Sequence, residues 1–350
     1  MAAPTRSQQR LVKLRTVLDG ASTMLIVMQN SPDPDAIAAA AALKEIANEY
    51  AGIACSLAHG GVVGRAENLA LVRYLSLNPR PIEALDPTRF GRIAIVDAQP
   101  GAGNISLDPS IRPDIVIDHH PVRRETRSAP FTDIRSRYGA TSTILWEYLD
   151  AAGMTIEPRL ATALVYGIRS DTQDLGRETT HADIEAFLAL YPQANPRALG
   201  RIVAAPLPRA YFARLRWVLE NASVYGPSIV ASVNPLDTPE MLAEAADLLL
   251  RVDGVSWVLC YGVIEGWLHL SLRTSGRELA AGTVARRLAG KRGFGGGHQA
   301  LAGAQIPLTP ARLSGPGQQR FIAAIVTRFL KATGGFGAPA EPLCSPVVED

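Results

Sequence analysis

Cysteine is scarce in this chain of 350 residues: Cys55, Cys260 and Cys344 make an odd number without CxxC spacing. That excludes a disulfide framework and a thiolate zinc site. Lysine is also rare, with only Lys13, Lys44, Lys291 and Lys331 among 35 basic residues. The excess of arginine reads as a coding bias ahead of selection for bidentate phosphate contacts. Charged residues are 19% of the chain against 47% apolar, a globular balance that fits neither disorder nor a fibrous repeat. No apolar run approaches the roughly 20 residues of a membrane span. Near the start, Arg6, Arg10, Lys13 and Arg15 surround Leu11, Leu14, Val17 and Leu18 at helical spacing. An amphipathic opening helix is expected there, not a signal peptide, and the location expected is cytoplasmic. The net charge of +2 is too small for a general duplex-binding surface, so duplex DNA and membranes are not expected partners.

What is present is an alternation of short apolar runs with helical stretches. Strands are expected at residues 24–28, 53–57, 93–96 and 115–117, and helices at 35–50, 67–75, 141–152, 181–190 and 196–204. Residues 165–170, which precede Asp171, read as a further buried strand. Such alternation predicts a parallel α/β sheet. Residues 206–221 open with prolines and read as a connecting helix. A second, smaller α/β pattern follows, with strands at 228–233, 255–263 and 267–273 and helices at 239–251 and 281–288. Glu265-Gly266 supplies a hairpin turn between two of those strands. The organisation expected is 1–205, connecting helix 206–222, 223–333, and a Gly/Pro-rich tail 334–350 without fold of its own.

The acids carry the chemistry. Asp33 and Asp35 lie in Ser-Pro-Asp-Pro-Asp-Ala-Ile, Asp97 closes Ile-Ala-Ile-Val-Asp, and Asp118-His119-His120 closes Ile-Val-Ile. Asp171 completes the set. Each follows an apparent buried strand, and a parallel sheet delivers such side chains to one edge. Converging oxygen and nitrogen ligands there suit a pair of hard divalent ions. Bland alternatives exist for single members: Asp33 as a helix cap, Asp97 as a solvated strand end, Asp171 as a cap. They do not explain the series. In the second half, Gly295-Gly296-Gly297-His298 is not a Walker loop, because no Gly-Lys-Ser/Thr follows; its backbone suits an anion nest, with Arg273 and His298 adding charge.

Together these residues resemble the DHH phosphoesterases that carry a DHH-associated C-terminal domain, of the nanoRNase/pAp-phosphatase type. The likeness covers about residues 24–307 and rests on Pro32-Asp33-Pro34-Asp35-Ala36, Asp97, Asp118-His119-His120, Ser170-Asp171-Thr172 and Gly295-Gly296-Gly297-His298. It implies an active-site cleft between the two domains and a manganese pair, with magnesium or cobalt as alternatives. One ion would be held by Asp33 and Asp97, the other by Asp35, Asp97, His119 and Asp171. By the same resemblance Asp118 would orient a histidine, and His120 would donate to a phosphate oxygen. Arg273, Gly295, Gly296, Gly297 and His298 would hold the far end of the substrate. The implied reaction is hydrolysis of short oligoribonucleotides, linear dinucleotides or pAp by a water activated between two metals, in a homodimer. Cyclic di-AMP hydrolysis is the enzymatic alternative. The family has a histidine three residues before the first motif's proline, where this chain has Gln29. That substitution implies a weaker first metal site and leaves a non-catalytic nucleotide sensor as a rival reading.

Overall fold

The computed structural model describes residues 5–234, 236, 239–297 and 299–344. It divides into two compact units, Met1–Pro206 and Leu207–Asp350.

The first unit is built in chain order from α1 (Arg6–Leu18), β1 (Thr23–Val27), α2 (Pro34–Ala51), β2 (Ala54–His59), α3 (Ala66–Tyr74), β3 (Arg80–Pro81), β4 (Arg92–Val96), β5 (Ile115–Asp118), β6 (Phe131–Ile134), α4 (Thr141–Ala151), α5 (Pro158–Asp171), α6 (His181–Leu190) and α7 (Pro196–Val203). Its sheet runs β3-β2-β1-β4-β5-β6, and every pairing is parallel. Apolar residues such as Leu25, Ile26, Ile95 and Val116 are buried on both faces, the signature of a parallel sheet covered on two sides. In this strand order the direction of travel reverses between β1 and β4. Loops leaving the carboxyl ends of those two strands part to opposite faces and leave a crevice, where ligands of such sheets sit.

Helix α2 owes its close packing to a run of alanines, Ala38 to Ala42, all buried against α4 and α5. One element departs from the sequence expectation. The segment leading to Asp171 is the last part of α5, a 14-residue helix with Pro158 at its start. A run as short as Val165 to Ile168 cannot distinguish a buried strand from a buried helix, because neither shows polar alternation over that length. Strand β6 and the two-residue β3 lie outside the expected set.

The second unit contains α8 (Arg209–Glu220), β7 (Ser223–Tyr225), β8 (Ser228–Ser232), α9 (Glu240–Leu249), β9 (Trp257–Ile264), β10 (Trp267–Thr274), α10 (Ala281–Ala289), β11 (Phe294–Gly297), β12 (Leu301–Pro307), α11 (Gly315–Thr333) and β13 (Glu341–Pro342). Its mixed sheet runs β11-β12-β10-β9-β8-β7-β13, with only β8 and β9 parallel. The hairpin at Glu265-Gly266 joins β9 and β10, and both turn residues have positive φ. One face carries α10 and α11, packed on Leu268, Leu270 and Leu272; the other carries α8 and α9, packed on Ile229, Val258 and Cys260. Two expectations need correction. Gly295 to Gly297 form an edge strand paired with β12, since glycines with partners on a neighbouring strand satisfy their amides in the ladder. The tail, read as structureless, supplies β13, which pairs with β7, and Leu343 donates to the Ala222 carbonyl.

Candidate metal centre

Four strand and helix ends, those of α2, β4, β5 and α5, bring the acidic set to the carboxyl edge of the first sheet. Asp33 is the N-cap of α2, with Oδ1 accepting from the Ala36 amide at 3.0 Å. Asp35 follows in the first turn and is fully buried. Asp97 ends β4, Asp118 to His120 end β5, and Asp171 ends α5. One ligand atom from each of Asp35, Asp97, His119 and Asp171 falls within 4.8 Å of the others, and a second such group joins Asp97, Asp118, His119 and His120. Asp97 and His119 are common to both.

The surrounding hydrogen bonds orient each group. Asp35 accepts from the amides of Thr141 at 2.7 Å and Ser142 at 2.8 Å, one on each oxygen. These are orphan donors at the start of α4, so the helix dipole supports the charge of Asp35. Thr141 Oγ1 donates to Asp97 Oδ1 at 2.9 Å, while Asp97 Oδ2 is buried with no hydrogen-bond partner among the described residues. Asp97 also holds a left-handed backbone, φ 55°. A buried, unpaired carboxylate oxygen on a strained residue is costly, and a cation is the group that offsets it. His119 Nδ1 meets the Tyr138 carbonyl at 3.1 Å, an acceptor only, so that nitrogen carries the proton and donates. Nε2 is thereby turned to Asp171 at 3.1 Å and Asp97 at 3.5 Å. Such carbonyl-fixed imidazoles are typical of metal ligands. The donor set of three carboxylates and one imidazole nitrogen fits a hard or borderline divalent ion.

Asp118 stands behind the histidines. Its Oδ1 lies 2.8 Å from His120 Nδ1, and its Oδ2 accepts from Gln99 Nε2 at 2.6 Å. Gln99 in turn accepts from the Arg123 amide and Thr126 Oγ1, pinning the loop after the histidines. Asp33 Oδ2 is taken by Gln29 Nε2 at 2.8 Å, and Gln29 Oε1 accepts from Asn104 at 3.1 Å.

Electrostatics reflect the crowding of negative charge. Burial first, then Asp171 and Asp35, push Asp33 up to about 7; burial and Asp171 push Asp35 up to about 6. Burial and the neighbouring acids, Asp35 foremost, hold Asp97 well above the usual carboxylate range. His119 goes the other way for an imidazole: burial lowers it, but the hydrogen bond and charge of Asp171 outweigh that and push it up to about 10. Asp118 is held well below its usual range, because the charge and hydrogen bond of His120 overcome its burial. The cluster therefore retains protons in place of an ion, the pattern expected where deprotonated ligands await a cation.

The first unit thus gathers Asp33, Asp35, Asp97, Asp118, His119, His120 and Asp171. The remaining candidates lie in the second unit. Arg273 is buried on β10 and engages Asp247 of α9 together with Ser271 Oγ and the Leu272 carbonyl. Gly295, Gly296 and Gly297 lie on β11, packed closely on α10: a Cβ on Gly295 would meet the Ala285 carbonyl at 2.8 Å. His298 lies outside the described residues. Sequence reasoning missed Gln99, Tyr138, Thr141, Ser142 and Gly167. The run Thr141-Ser142-Thr143 after Gly139 was a usable signal for a helix start with free amides; Gly167 carried none.

Two family models match successive parts of the chain. The DHH family, N-terminal domain, matches residues 23–168, and the DHHA1 domain matches residues 226–332. An uncharacterized protein of Methanocaldococcus jannaschii is 34% identical over 303 residues, 86% of this chain and 62% of that protein. A probable manganese-dependent inorganic pyrophosphatase of Streptococcus agalactiae is 26% identical over 161 residues, 46% of this chain and 52% of that protein. The chain therefore spans between half and two thirds of the length of these relatives. Among solved structures, an exopolyphosphatase-related protein from Bacteroides fragilis shares the fold with a TM-score of 0.70 at 16% identity, over 92% of this chain and 97% of that one.

Proposed function

The chain belongs to the DHH family, with a DHHA1 domain following the DHH domain, and we propose that it is a divalent-metal phosphoesterase acting on short nucleotide chains. One observation carries this reading: ligand atoms of Asp35, Asp97, His119 and Asp171 lie within 4.8 Å of one another at the sheet's switch point. A structural role for four ionisable groups so placed is disfavoured, because buried like charges without an ion destabilise the fold. In this reading Asp35, Asp97, His119 and Asp171 hold one ion, and Asp33 with Asp97 holds a second. Manganese is the proposed metal, supported by the name of the pyrophosphatase relative, with magnesium and cobalt as alternatives. Bound there, the ions supply charge against the attacked phosphorus and bring a water's ionisation into the neutral range.

The chain's own residues do the rest. The α4 amides fix Asp35 in direction, one on each carboxylate oxygen. The Tyr138 carbonyl keeps the His119 proton on Nδ1. Asp118 holds His120 by Nδ1, which orients the ring toward donating to a phosphate oxygen as charge develops. The proposed substrates are short oligoribonucleotides or linear dinucleotides, and the 3′-phosphate of pAp, with cyclic di-AMP as the alternative. Arg273, Gly295, Gly296, Gly297 and His298 are the proposed contacts to the rest of the substrate; Arg273 takes that role by exchanging Asp247 for phosphate.

A second reading rests on Gln29. Its amide is spent on Asp33 and Asn104 and brings no anionic charge, which favours a weak first site and a protein that binds nucleotide without turning it over. Chromatographic turnover of pGpG, pApA, pAp and cyclic di-AMP with manganese, and Asp97→Ala as the blank, separates the two. Conversion of a linear substrate lost in Asp97→Ala is expected. Retained binding without product supports the sensor and overturns the enzyme.

A further inference from the structure

Residues 279–340 contain no aspartate or glutamate and eight lysines or arginines, while the rest of the chain carries 27 basic residues against 33 acidic ones. The positive charge of the molecule is thus gathered in one part of the second unit, and the elements in question, α10, β11, β12 and α11, pack together. Residues of α10, β12 and α11 and of the loops between them line an open cavity of about 340 Å³ that comes entirely from that stretch. Lys291, Arg292, Arg312 and Arg328 stand around it, with no carboxylate on any lining element. Its floor is apolar, made by Leu288, Ile306 and Phe321. The guanidinium carbon of Arg312 lies 4.3 Å from the centroid of the Phe321 ring, so one cation is already held flat against an aromatic face.

We propose that this cavity is a second anion site, independent of the metal cluster, which takes a nucleotide carrying two or more phosphates. Like charges brought together without acids raise the free energy of the empty site, and a polyanion relieves it. Four cations match a di- or triphosphate better than a single phosphate. The apolar floor and the Arg312–Phe321 stack favour a ligand with a flat ring over inorganic phosphate, since stacking on an aromatic or guanidinium plane discriminates little among bases but strongly against ligands without one. None of the metal-cluster residues belongs to this unit, so occupancy does not depend on a divalent ion. The site goes beyond the phosphoesterase reading and stands if that reading fails.

The test is equilibrium binding of ADP to the full chain in EDTA, where the metal cluster is stripped, with inorganic pyrophosphate as the probe that lacks a ring. Saturable binding near one ADP per chain is expected. Arg292→Glu with Arg328→Glu should weaken it at least tenfold, Arg328→Lys should retain it, and Asp97→Asn should leave it unchanged. Both arginines are exposed, so charge reversal is compatible with folding, and an unchanged thermal melt verifies it. Absence of saturable ADP binding in EDTA overturns the proposal. So does binding that survives the double reversal, or pyrophosphate affinity equal to that of ADP.

Discussion

Asp97 is shared by both ligand groups, has one oxygen on Thr141 and the other without a hydrogen bond, and sits in a left-handed backbone. Around it Asp33, Asp35 and His119 hold protons at pH values where their isolated side chains have mostly lost them. An ion must displace those protons. Calorimetric titration of manganese into metal-free protein at pH 6.0, repeated in buffers of different ionisation enthalpy, should therefore show release of about one proton or more per chain. Affinity should rise with pH through 6 to 7, the range set by Asp35 and Asp33. A buffer-independent enthalpy would contradict this. Gln29 sets a second expectation: Gln29→His should tighten manganese binding roughly tenfold, as imidazole is the more basic donor, and a weakened titration would show that the Asn104 and Asp33 contacts matter more.

Helices α4 and α5 bring their ends to the cluster only because α5 lies close to α2 and α4. Gly167 makes that approach possible: a Cβ there would stand 2.4 Å from Ser142 Oγ and 3.1 Å from Asp35 Oδ1. Gly167→Ala should displace the Asp35 carboxylate or the α4 start, lowering metal affinity at least tenfold and stability by about 1–3 kcal/mol. Melting curves with and without manganese would separate the two effects. A second element-level device secures β6 and the loop before α4. Arg135, almost wholly buried, binds Asp133, Glu147 and Ser7, and its loop carries Tyr138, the partner of His119. Arg135→Met leaves Glu147 without its cation and Asp133 with only the half-exposed Arg6 and Arg10, and should cost about 3–5 kcal/mol in denaturant unfolding.

Folding as a whole inherits the proton balance of the cluster. For Asp35 and Asp33 the folded-state pKa lies above the ordinary value of 3.8, so their contribution is fully present below that value and is lost as pH rises through about 6 and 7. His119, raised from 6.5, adds a loss in the same direction at higher pH. Asp118 and Asp133, both lowered, act oppositely, and their contribution is lost only below pH 3.8. Metal-free protein should accordingly melt several degrees lower at pH 8 than at pH 5. Saturating manganese should abolish that difference, because the ion takes the place of the protons. Scanning fluorimetry at the two pH values, with and without metal, reads both.

The acidic series and most of the first sheet were legible in the chain, because β-branched runs ending in Asp97 or Asp118 need no distant partner to declare themselves. The same holds for the Glu265-Gly266 hairpin, where local turn chemistry sets the geometry. Asp171 was found for the wrong reason: its carrier is a helix, and a run as short as Val165 to Ile168 reads the same in either state until its packing is known. Gly295 to Gly297 looked like a loop because glycine permits one; pairing with Ala302 to Ala304 of β12 makes it an edge strand. Likewise Glu341 became a strand only by meeting Val224. Which amides meet Asp35, which carbonyl fixes His119, and why position 167 must lack a side chain depend on contacts between residues 19 to 132 positions apart. Residue type and spacing nominate the candidate ligands, whereas their direction and protonation come from the groups folding brings beside them.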